Sequence, residues 1–346
     1  MPGVLRGARR KISANIFPPV SIIICARNEE DCIEDCLTSL AALDYPAEKL
    51  EILFVDDRST DRTSEILSEW MKNMSNLKVH LAKEETNERG GKINALTQGL
   101  DQVTGEIILM TDADCILPRG WAKEHVSWYE KDTGMVSSLT SLQERNLFDK
   151  AHSLEMVQVL AMSMAAINYN IPVSVIGNNL SIRKKTYDEL GGYRNIPFSV
   201  TEDVALFQAV WRSGKWKVKF KSNPDLGVVT HPPHDLTTWW RQKHRWVTGG
   251  KDIGPPGWII IGLGFIGAFA MVLAPFVLPF TFVMLVLALK FIADLFILVP
   301  TLRSINKLSL LLYFPLYQLY LFSFLMCVPI LYFQKDVLWK GRVFHT

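Results

Sequence analysis

Asp112 and Asp114 close the apolar run Ile107-Ile-Leu-Met110 after one threonine. Residues two apart on an extended chain point to the same side, so this alternation predicts two carboxylates facing one cation. Two hard oxygen donors suit Mg²⁺ or Mn²⁺, which keep several waters and gain ligands from phosphates. A second acidic pair, Asp56-Asp57, ends the run Glu51-Ile-Leu-Phe-Val55 and precedes Ser59, Thr60 and Asp61. That pair can hold a helix start. Arg245 carries a planar fork that pairs with phosphate oxygens through two bonds. Its neighbour Trp246 offers a flat face, for a sugar or for anchoring in a membrane surface. Gly177 precedes Asn178 and Asn179. A glycine there lets backbone approach a ligand, and the amides can bond hydroxyls.

The elements that must position these groups follow from periodicity. Val20–Ile24 is a continuous β-branched run and reads as a buried strand. Ile33, Leu37 and Leu40 are spaced four and three apart, which predicts a helix over 29–43. Residues 51–55 read as a second strand, and Ser59, Thr60 or Asp61 as the cap of a helix reaching Trp70. Leu77–Leu81 alternates as a strand. Gly90-Gly91 opens a helix through Leu100, and 106–110 form another strand. Strand and helix alternating in this rhythm predict an α/β domain with a largely parallel sheet. In such sheets ligands lie beyond the carboxyl ends of the strands, which is where both acidic pairs fall.

The chain has 346 residues with 37 Lys+Arg against 35 Asp+Glu. This balance excludes a nucleic-acid binder driven by bulk charge. It hides a division, because 253–346 hold six basic and two acidic residues, and the runs 253–289 and 308–334 hold none. A bilayer crossing needs about 20 apolar residues. The expected organisation is a basic tail (1–17), an α/β domain (18–235), an interfacial amphipathic segment (236–257), about three membrane helices (258–333) and a second basic tail (334–346). Within 236–247, helical spacing puts Leu236, Trp239, Trp240 and Val247 on one face. Pro255-Pro256-Gly257 reads as a break. A hairpin of 258–274 and 276–299 turns near Pro275 and Pro279, and 308–333 makes a third helix. Lys290 and Asp294, four apart, can pair with one another or sit near the membrane surface. With three crossings, Lys335, Lys340 and Arg342 fall opposite the main domain, against the positive-inside rule. Either one helix is re-entrant or the tail breaks that rule. The five cysteines show no framework spacing, in keeping with a reducing cytosol. His231-Pro-Pro-His234 reads as a structural loop rather than a metal pair.

The segments VSIIICARNEE (20–30), EILFVDDRSTDRT (51–63), GGKINAL (90–96), TDAD (111–114), TED (201–203) and QKHRW (242–246) occur in this order. Together they resemble the family 2 glycosyltransferases of GT-A fold. The similarity is greatest to the membrane-bound branch with ceramide glucosyltransferases and polysaccharide synthases, and it covers roughly 18–250. The resemblance implies that Ala26, Arg27, Glu29, Asp56, Asp57, Lys92 and Arg245 hold the donor. It implies that Asp112 and Asp114 bind Mg²⁺ or Mn²⁺, and that Asp203 is the general base of an inverting transfer. Gly177, Asn178, Asn179, Glu202, Gln242 and Trp246 match the acceptor or product region.

The expected activity is transfer of a sugar from a nucleotide-diphosphate sugar, a UDP-sugar being the family's commoner choice, to a membrane lipid. The expected place is the cytosolic face of a bacterial inner membrane. The alternatives are a processive polysaccharide synthase with a glycan acceptor and a non-catalytic nucleotide-sugar-binding membrane protein.

Overall fold

Strand β1 (Val20–Ala26) is almost wholly buried. Its β-branched side chains pack well on both faces of a covered sheet. The computed structural model describes residues 17–83, 91–340 and 342–344. Apart from Phe17 the expected N-terminal tail lies outside the described residues, as does Gly90. After β1 come helix α1 (Ile33–Ala41), β2 (Leu50–Asp56), α2 (Thr63–Met71), β3 (Leu77–Leu81), α3 (Lys92–Leu100) and β4 (Ile107–Asp112). The expected rhythm is therefore present. The start of α2 differs, since none of the three candidates is its cap residue. Asp61 instead accepts the Thr63 N–H at 3.0 Å, and Arg62 stands at the cap position.

The chain continues through β5 (Cys115–Ile116), α4 (Trp121–Ser127), β6 (Thr133–Ser137), β7 (Thr140–Leu142) and α5 (Leu147–Asn168). Then follow β8 (Leu180–Arg183), α6 (Lys184–Glu189), α7 (Gly192–Asn195), α8 (Glu202–Arg212), β9 (Lys217–Phe220) and β10 (Val228–Thr230). The main sheet has the order β3-β2-β1-β4-β8-β6-β9, and β5-β10-β7 form a small second sheet. Strands β3, β2, β1 and β4 are parallel, whereas β8 runs antiparallel to both β4 and β6.

The order reverses at β1, so the switch point, where ligands bind in such sheets, lies between β1 and β4. Register then sets the site. Ala26 pairs with Asp56 across β1–β2, and Cys25 pairs with Asp112 across β1–β4. Three strand ends reach one level and deliver Ala26, Asp56 and Asp112 to one edge.

Helix α5 lies over the sheet and was not delineated by periodicity. Its 22 residues are buried on nearly every side, because one face meets the sheet and another meets the C-terminal helices. The Asn146 side chain caps it, accepting the Asp149 N–H at 2.9 Å. Beyond β10 come α9 (Leu236–Gly249), α10 (Gly254–Val277), α11 (Phe280–Ser304) and α12 (Phe314–Phe333), then the hairpin β11 (Val337–Trp339) with β12 (Arg342–Phe344). The prolines expected to break the chain instead start α10, where a missing N–H costs nothing. Three segments, 254–277, 280–304 and 308–333, are long and apolar enough to cross a membrane.

Candidate active site

Two carboxylates from different elements meet on one ammonium. Lys92 is the first residue of α3, a poor place for a cation because the helix dipole is positive there. The Lys92 Nζ lies 2.7 Å from Asp112 Oδ1 and 2.7 Å from Glu202 Oε1, which offset that cost. Burial alone would lower its pKa, but these two carboxylates hold it well above the ordinary lysine value. Lys92 thereby ties the end of β4 to the first turn of α8.

Asp203 follows Glu202 in the same turn. Its Oδ2 accepts the Gly177 N–H at 2.6 Å and its Oδ1 accepts the Val204 N–H at 2.8 Å. A Cβ at Gly177 would lie 3.0 Å from the Asp203 Cβ and 3.1 Å from its Oδ2, so Asp203 would have to give by a few tenths of an ångström. Burial first, and the Glu202 charge second, push the Asp203 carboxyl up to about 6, against the pull of Lys92 and Arg245. Lys92, Asp112, Gly177, Tyr193, Glu202 and Asp203 enclose only about 10 Å³, roughly one water.

Arg245 reaches this cluster from α9. Its Nη1 is 3.9 Å from Glu202 Oε2 and donates to the Val200 carbonyl at 3.4 Å. Gly249, one turn on, lets α9 come close, since a Cβ there would fall 2.2 Å from the Thr201 side chain. Gln242 and Trp246 lie a turn apart on α9 near Arg245. The Gln242 Oε1 is buried and has no hydrogen-bond partner among the described residues. Trp246 packs on the core and stacks over the Lys243 ammonium at 4.5 Å.

The strand β4 ends at Asp112, so Asp114 lies in a turn and not in the alternation that sequence suggested. The two still interact electrostatically. Burial and then the Asp112 charge raise the Asp114 carboxyl above its usual range. Burial acts the same way on Asp112, but Lys92 outweighs it and holds that group low. Such a pair of hard oxygen donors with an unbalanced charge fits Mg²⁺ or Mn²⁺. Among the described residues no third His, Cys, Asp or Glu joins them, so water and phosphate oxygens would complete the shell. His231 behaves as expected of a structural residue, with Nε2 3.0 Å from Asp35.

Several expected ligands already have partners within the fold. Asp56 Oδ1 accepts both the Ser59 N–H (2.9 Å) and its hydroxyl (2.6 Å), while Oδ2 takes the Ser64 hydroxyl. These bonds show the loop-holding role, which can coexist with the expected donor contact because carboxylate oxygens accept more than one bond. Asn179 is a correction. Its Oδ1 faces Trp121 Nε1 (2.9 Å) and His125 Nε2 (3.0 Å), and its Nδ2 donates to the Leu139 and Leu226 carbonyls at 2.7 Å each. With every bonding position filled and no exposure, it cannot meet an acceptor hydroxyl. Asn178 Oδ1 is likewise taken, by the Thr140 hydroxyl at 2.8 Å. Glu202, expected near the acceptor, holds Lys92.

Cations from the C-terminal tail cover the remaining donor residues. Arg342 forks onto Asp57, with Nη1 2.9 Å from Oδ2 and Nη2 3.1 Å from Oδ1. Lys340 donates to the Arg27 carbonyl at 3.0 Å and pairs with Glu29. Arg27 Nη1 donates to the Asp57 carbonyl at 2.7 Å, and the Asp57 N–H donates to the Ala26 carbonyl at 2.8 Å. Burial pushes Glu29 up to about 7, although Lys340 opposes it. Sequence reading missed Lys340 and Arg342, whose signal was only a basic tail. It also missed Lys243, fully buried and 2.6 Å from Glu155, inside the QKHRW run.

Comparison with known proteins bears on this geometry. Residues 21–204 match the family model described as Glycosyl transferase family 2. The beta-monoglucosyldiacylglycerol synthase of Synechocystis sp. is 28% identical over 240 residues, 68% of this chain and 48% of that protein. A probable glycosyltransferase of Bacillus subtilis, YdaM, is 28% identical over 243 residues, covering 68% and 56%. The poly-beta-1,6-N-acetyl-D-glucosamine synthase of Staphylococcus epidermidis is 25% identical over 237 residues, covering 68% and 55%. The chain thus spans about half the length of the curated relatives it matches. Among solved structures, a mannosyltransferase from Pyrobaculum calidifontis in complex with GDP-Man and Mn²⁺ superposes with a TM-score of 0.56 at 23% identity, over 88% of both chains. That likeness bears out the GT-A fold.

Proposed function

The chain belongs to glycosyl transferase family 2, and from that premise we propose an inverting, metal-dependent transfer of one sugar to a membrane lipid. The donor is a nucleotide-diphosphate sugar, taken here as a UDP-sugar. The observation that carries the reading is the Asp203 carboxylate, raised to about 6 and held by two backbone amides across a closed cleft from Asp112. A base poised near the working pH removes a proton most effectively.

Asp203 takes the proton of the acceptor hydroxyl as that oxygen attacks the anomeric carbon. The bond from that carbon to the diphosphate oxygen breaks, and the diphosphate leaves with the electron pair. A divalent ion on Asp112 and Asp114 would supply positive charge to the departing diphosphate. Arg245 and Lys92 already face that edge and stabilise the same charge as it develops. Attack from the Asp203 side, opposite the leaving group, inverts the anomeric centre.

The lipid acceptor is supported by where the cleft lies. Helix α9 carries Arg245 toward the site and, on the same fourteen residues, Trp239 against the apolar helix α12. A headgroup hydroxyl at the membrane surface is then within reach of Asp203. Some relatives are named as diacylglycerol glucosylating enzymes and others as polysaccharide synthases. A polysaccharide threading hydrocarbon needs a closed ring of helices to satisfy its hydroxyls. The segment 276–289 has one hydroxyl, Thr281, and no amide side chain to line such a ring. The catalytic face is cytosolic because Arg303, in the last turn of α11, and Lys307, just after it, lie on its side. The test is incubation of purified protein with a panel of nucleotide sugars and lipid extract, read by product mass. One added sugar unit on a lipid is expected, and long sugar chains from the protein alone would overturn the lipid reading.

A further inference from the structure

The three apolar helices differ in what holds their ends. At residues 252–253 the chain is bolted to the catalytic domain. Ser199 Oγ donates to Asp252 Oδ2 at 2.5 Å, and Gln208 Nε2 to the Ile253 carbonyl at 3.3 Å. From there α10 runs out with nearly all its surface exposed. The turn at Leu278-Pro279 lies between the exposed side chains of Phe276, Val277 and Phe280 and touches nothing charged. Helix α11 then returns. Its last turns bury Leu298, Thr301 and Leu302, and Ser304 Oγ donates to Ser222 Oγ at 3.0 Å. Lys307 Nζ reaches Glu144 at 2.5 Å. Out and back makes two crossings.

Helix α12 behaves differently, because the catalytic domain holds it at its start, its middle and its end. Lys150 Nζ donates to the Tyr313 hydroxyl at 2.9 Å, just before the helix begins. One turn in, Tyr317 donates to Gln158 Oε1 at 2.6 Å, and Trp239 Nε1 donates to the Tyr320 hydroxyl at 2.9 Å. Just beyond its last residue, Trp240 Nε1 donates to Gln334 Oε1 at 3.1 Å, and His244 Nε2 lies 3.1 Å from the Gln334 carbonyl. Twenty residues of helix are about 30 Å long, enough to cross a hydrocarbon core. Both ends of that length are nevertheless bound by one domain, through α5 and the strongly basic α9. A domain with those charges does not extend to the far face of a bilayer.

We propose that α12 does not cross the membrane but lies along its surface, so that α10 and α11 are the crossing pair and the C-terminal tail returns to the catalytic side. The buried Tyr317 and Tyr320 of α12 face α5 and α9, and Leu331 is buried on the same edge. The opposite face of the helix, with Leu319, Ile330 and Phe333 exposed, rests in the acyl boundary of the near leaflet. The Lys290–Asp294 pair fits the same arrangement. Asp294 also accepts Gln158 Nε2 at 3.1 Å and Gln318 Nε2 at 2.8 Å. The pair is thus a joint between α11, α12 and α5 at the domain's edge, not an isolated charge at mid-bilayer. Charge agrees independently. With two crossings Arg303, Lys307, Lys335, Lys340 and Arg342 all lie on the catalytic side, and the far turn carries no Lys or Arg. With three crossings three of those five fall on the far side, against the positive-inside rule.

The test uses the full chain in sealed membrane vesicles whose catalytic domain faces outward. One variant carries a protease site appended after Thr346, the other a site between Leu278 and Pro279. Protease added outside should cut the C-terminal site together with the catalytic domain and leave the turn site intact. Detergent should then expose the turn site, which shows that it can be cut. Protection of the C-terminal site while the catalytic domain is digested would mean that α12 crosses. Cleavage of the turn site in sealed vesicles would mean that α10 and α11 do not. Either result overturns the proposal.

Discussion

Replacing Asp203 by Asn tests the proposed base, and the structure says what else the change does. Gly177 and Val204 both aim N–H groups at the carboxylate, at 2.6 and 2.8 Å. A carboxylamide has one acceptor oxygen, so one of these N–H groups must face an NH₂. Losing a hydrogen bond to a charged group costs about 1.5–3 kcal/mol. Some loss of stability therefore accompanies the chemical effect, and folding must be followed alongside rate. The chemical effect is the larger, since loss of a positioned base costs about 10²–10⁴ in turnover. The parent enzyme supplies a second signature. Its Asp203 carboxyl is raised to about 6 by burial and by Glu202, with Lys92 and Arg245 opposing. As pH falls through 6 the group gains its proton, the base is lost and turnover falls. At pH 5 about one-tenth of the base form remains, whereas an ordinary aspartate would still be about nine-tenths ionised. Glu29, raised to about 7 by burial against the pull of Lys340, belongs to the donor edge and should appear in KM. The assay is kcat across pH 4.5–8 (roughly the interval these groups span) with donor saturating, for parent and Asp203→Asn, plus donor affinity by titration. An Asn variant whose residual turnover kept an inflection near 6 would place the base elsewhere, and collapse of donor affinity would make Asp203 a binding residue.

Three further outcomes follow from the same contacts. Chelation should abolish transfer and Mn²⁺ or Mg²⁺ restore it, while Asp114→Ala should lose both turnover and metal-linked donor binding; full turnover in chelator would refute this. Arg342→Ala should lower the donor KM severalfold, because its guanidinium then no longer competes for Asp57; an unchanged or higher KM would show that the tail does not oppose donor entry. Lys243→Met strands the buried Glu155 carboxylate, at a cost of about 3–5 kcal/mol. Thermal unfolding should register that loss and also show recovery when Glu155→Leu is added, whereas a single variant as stable as the parent would show the pair to be dispensable.

What the sequence disclosed was local. The strands ending at Ala26, Asp56 and Asp112 were legible because each is a short apolar run terminated by polar chemistry, and parallel register then brought their ends together. Pairing between distant segments was not legible. Nothing in the spacing of Asn179 distinguishes an amide spent on Trp121, His125 and two carbonyls from one offered to a sugar. Asp56 was open to both of its readings, and Ser59 and Ser64 on its two oxygens establish the first without removing the second. Helix α5 escaped because amphipathic period marks a helix with one wet face, and this one is covered on several. The tail was readable as charge but not as a partner, since Arg342 meets Asp57 across 285 residues of chain.

Those long-range contacts give the cleft its electrostatic logic. Glu29, Asp57, Asp112, Asp114, Glu202 and Asp203 crowd one edge of the sheet, and so many carboxylates would repel one another in a partly buried crevice. In the resting chain the balance comes from Lys92, Arg245, Lys340 and Arg342, contributed by α3, α9 and the tail. Lys92 and Arg245 are also suited to a diphosphate. On the proposed mechanism, donor arrival would exchange partners: diphosphate oxygens would draw Lys92 and Arg245, and the freed carboxylates would become available to a divalent ion and the acceptor proton. The membrane arrangement matters to the resting balance, because only a tail returned to the catalytic side can place Lys340 and Arg342 at that edge.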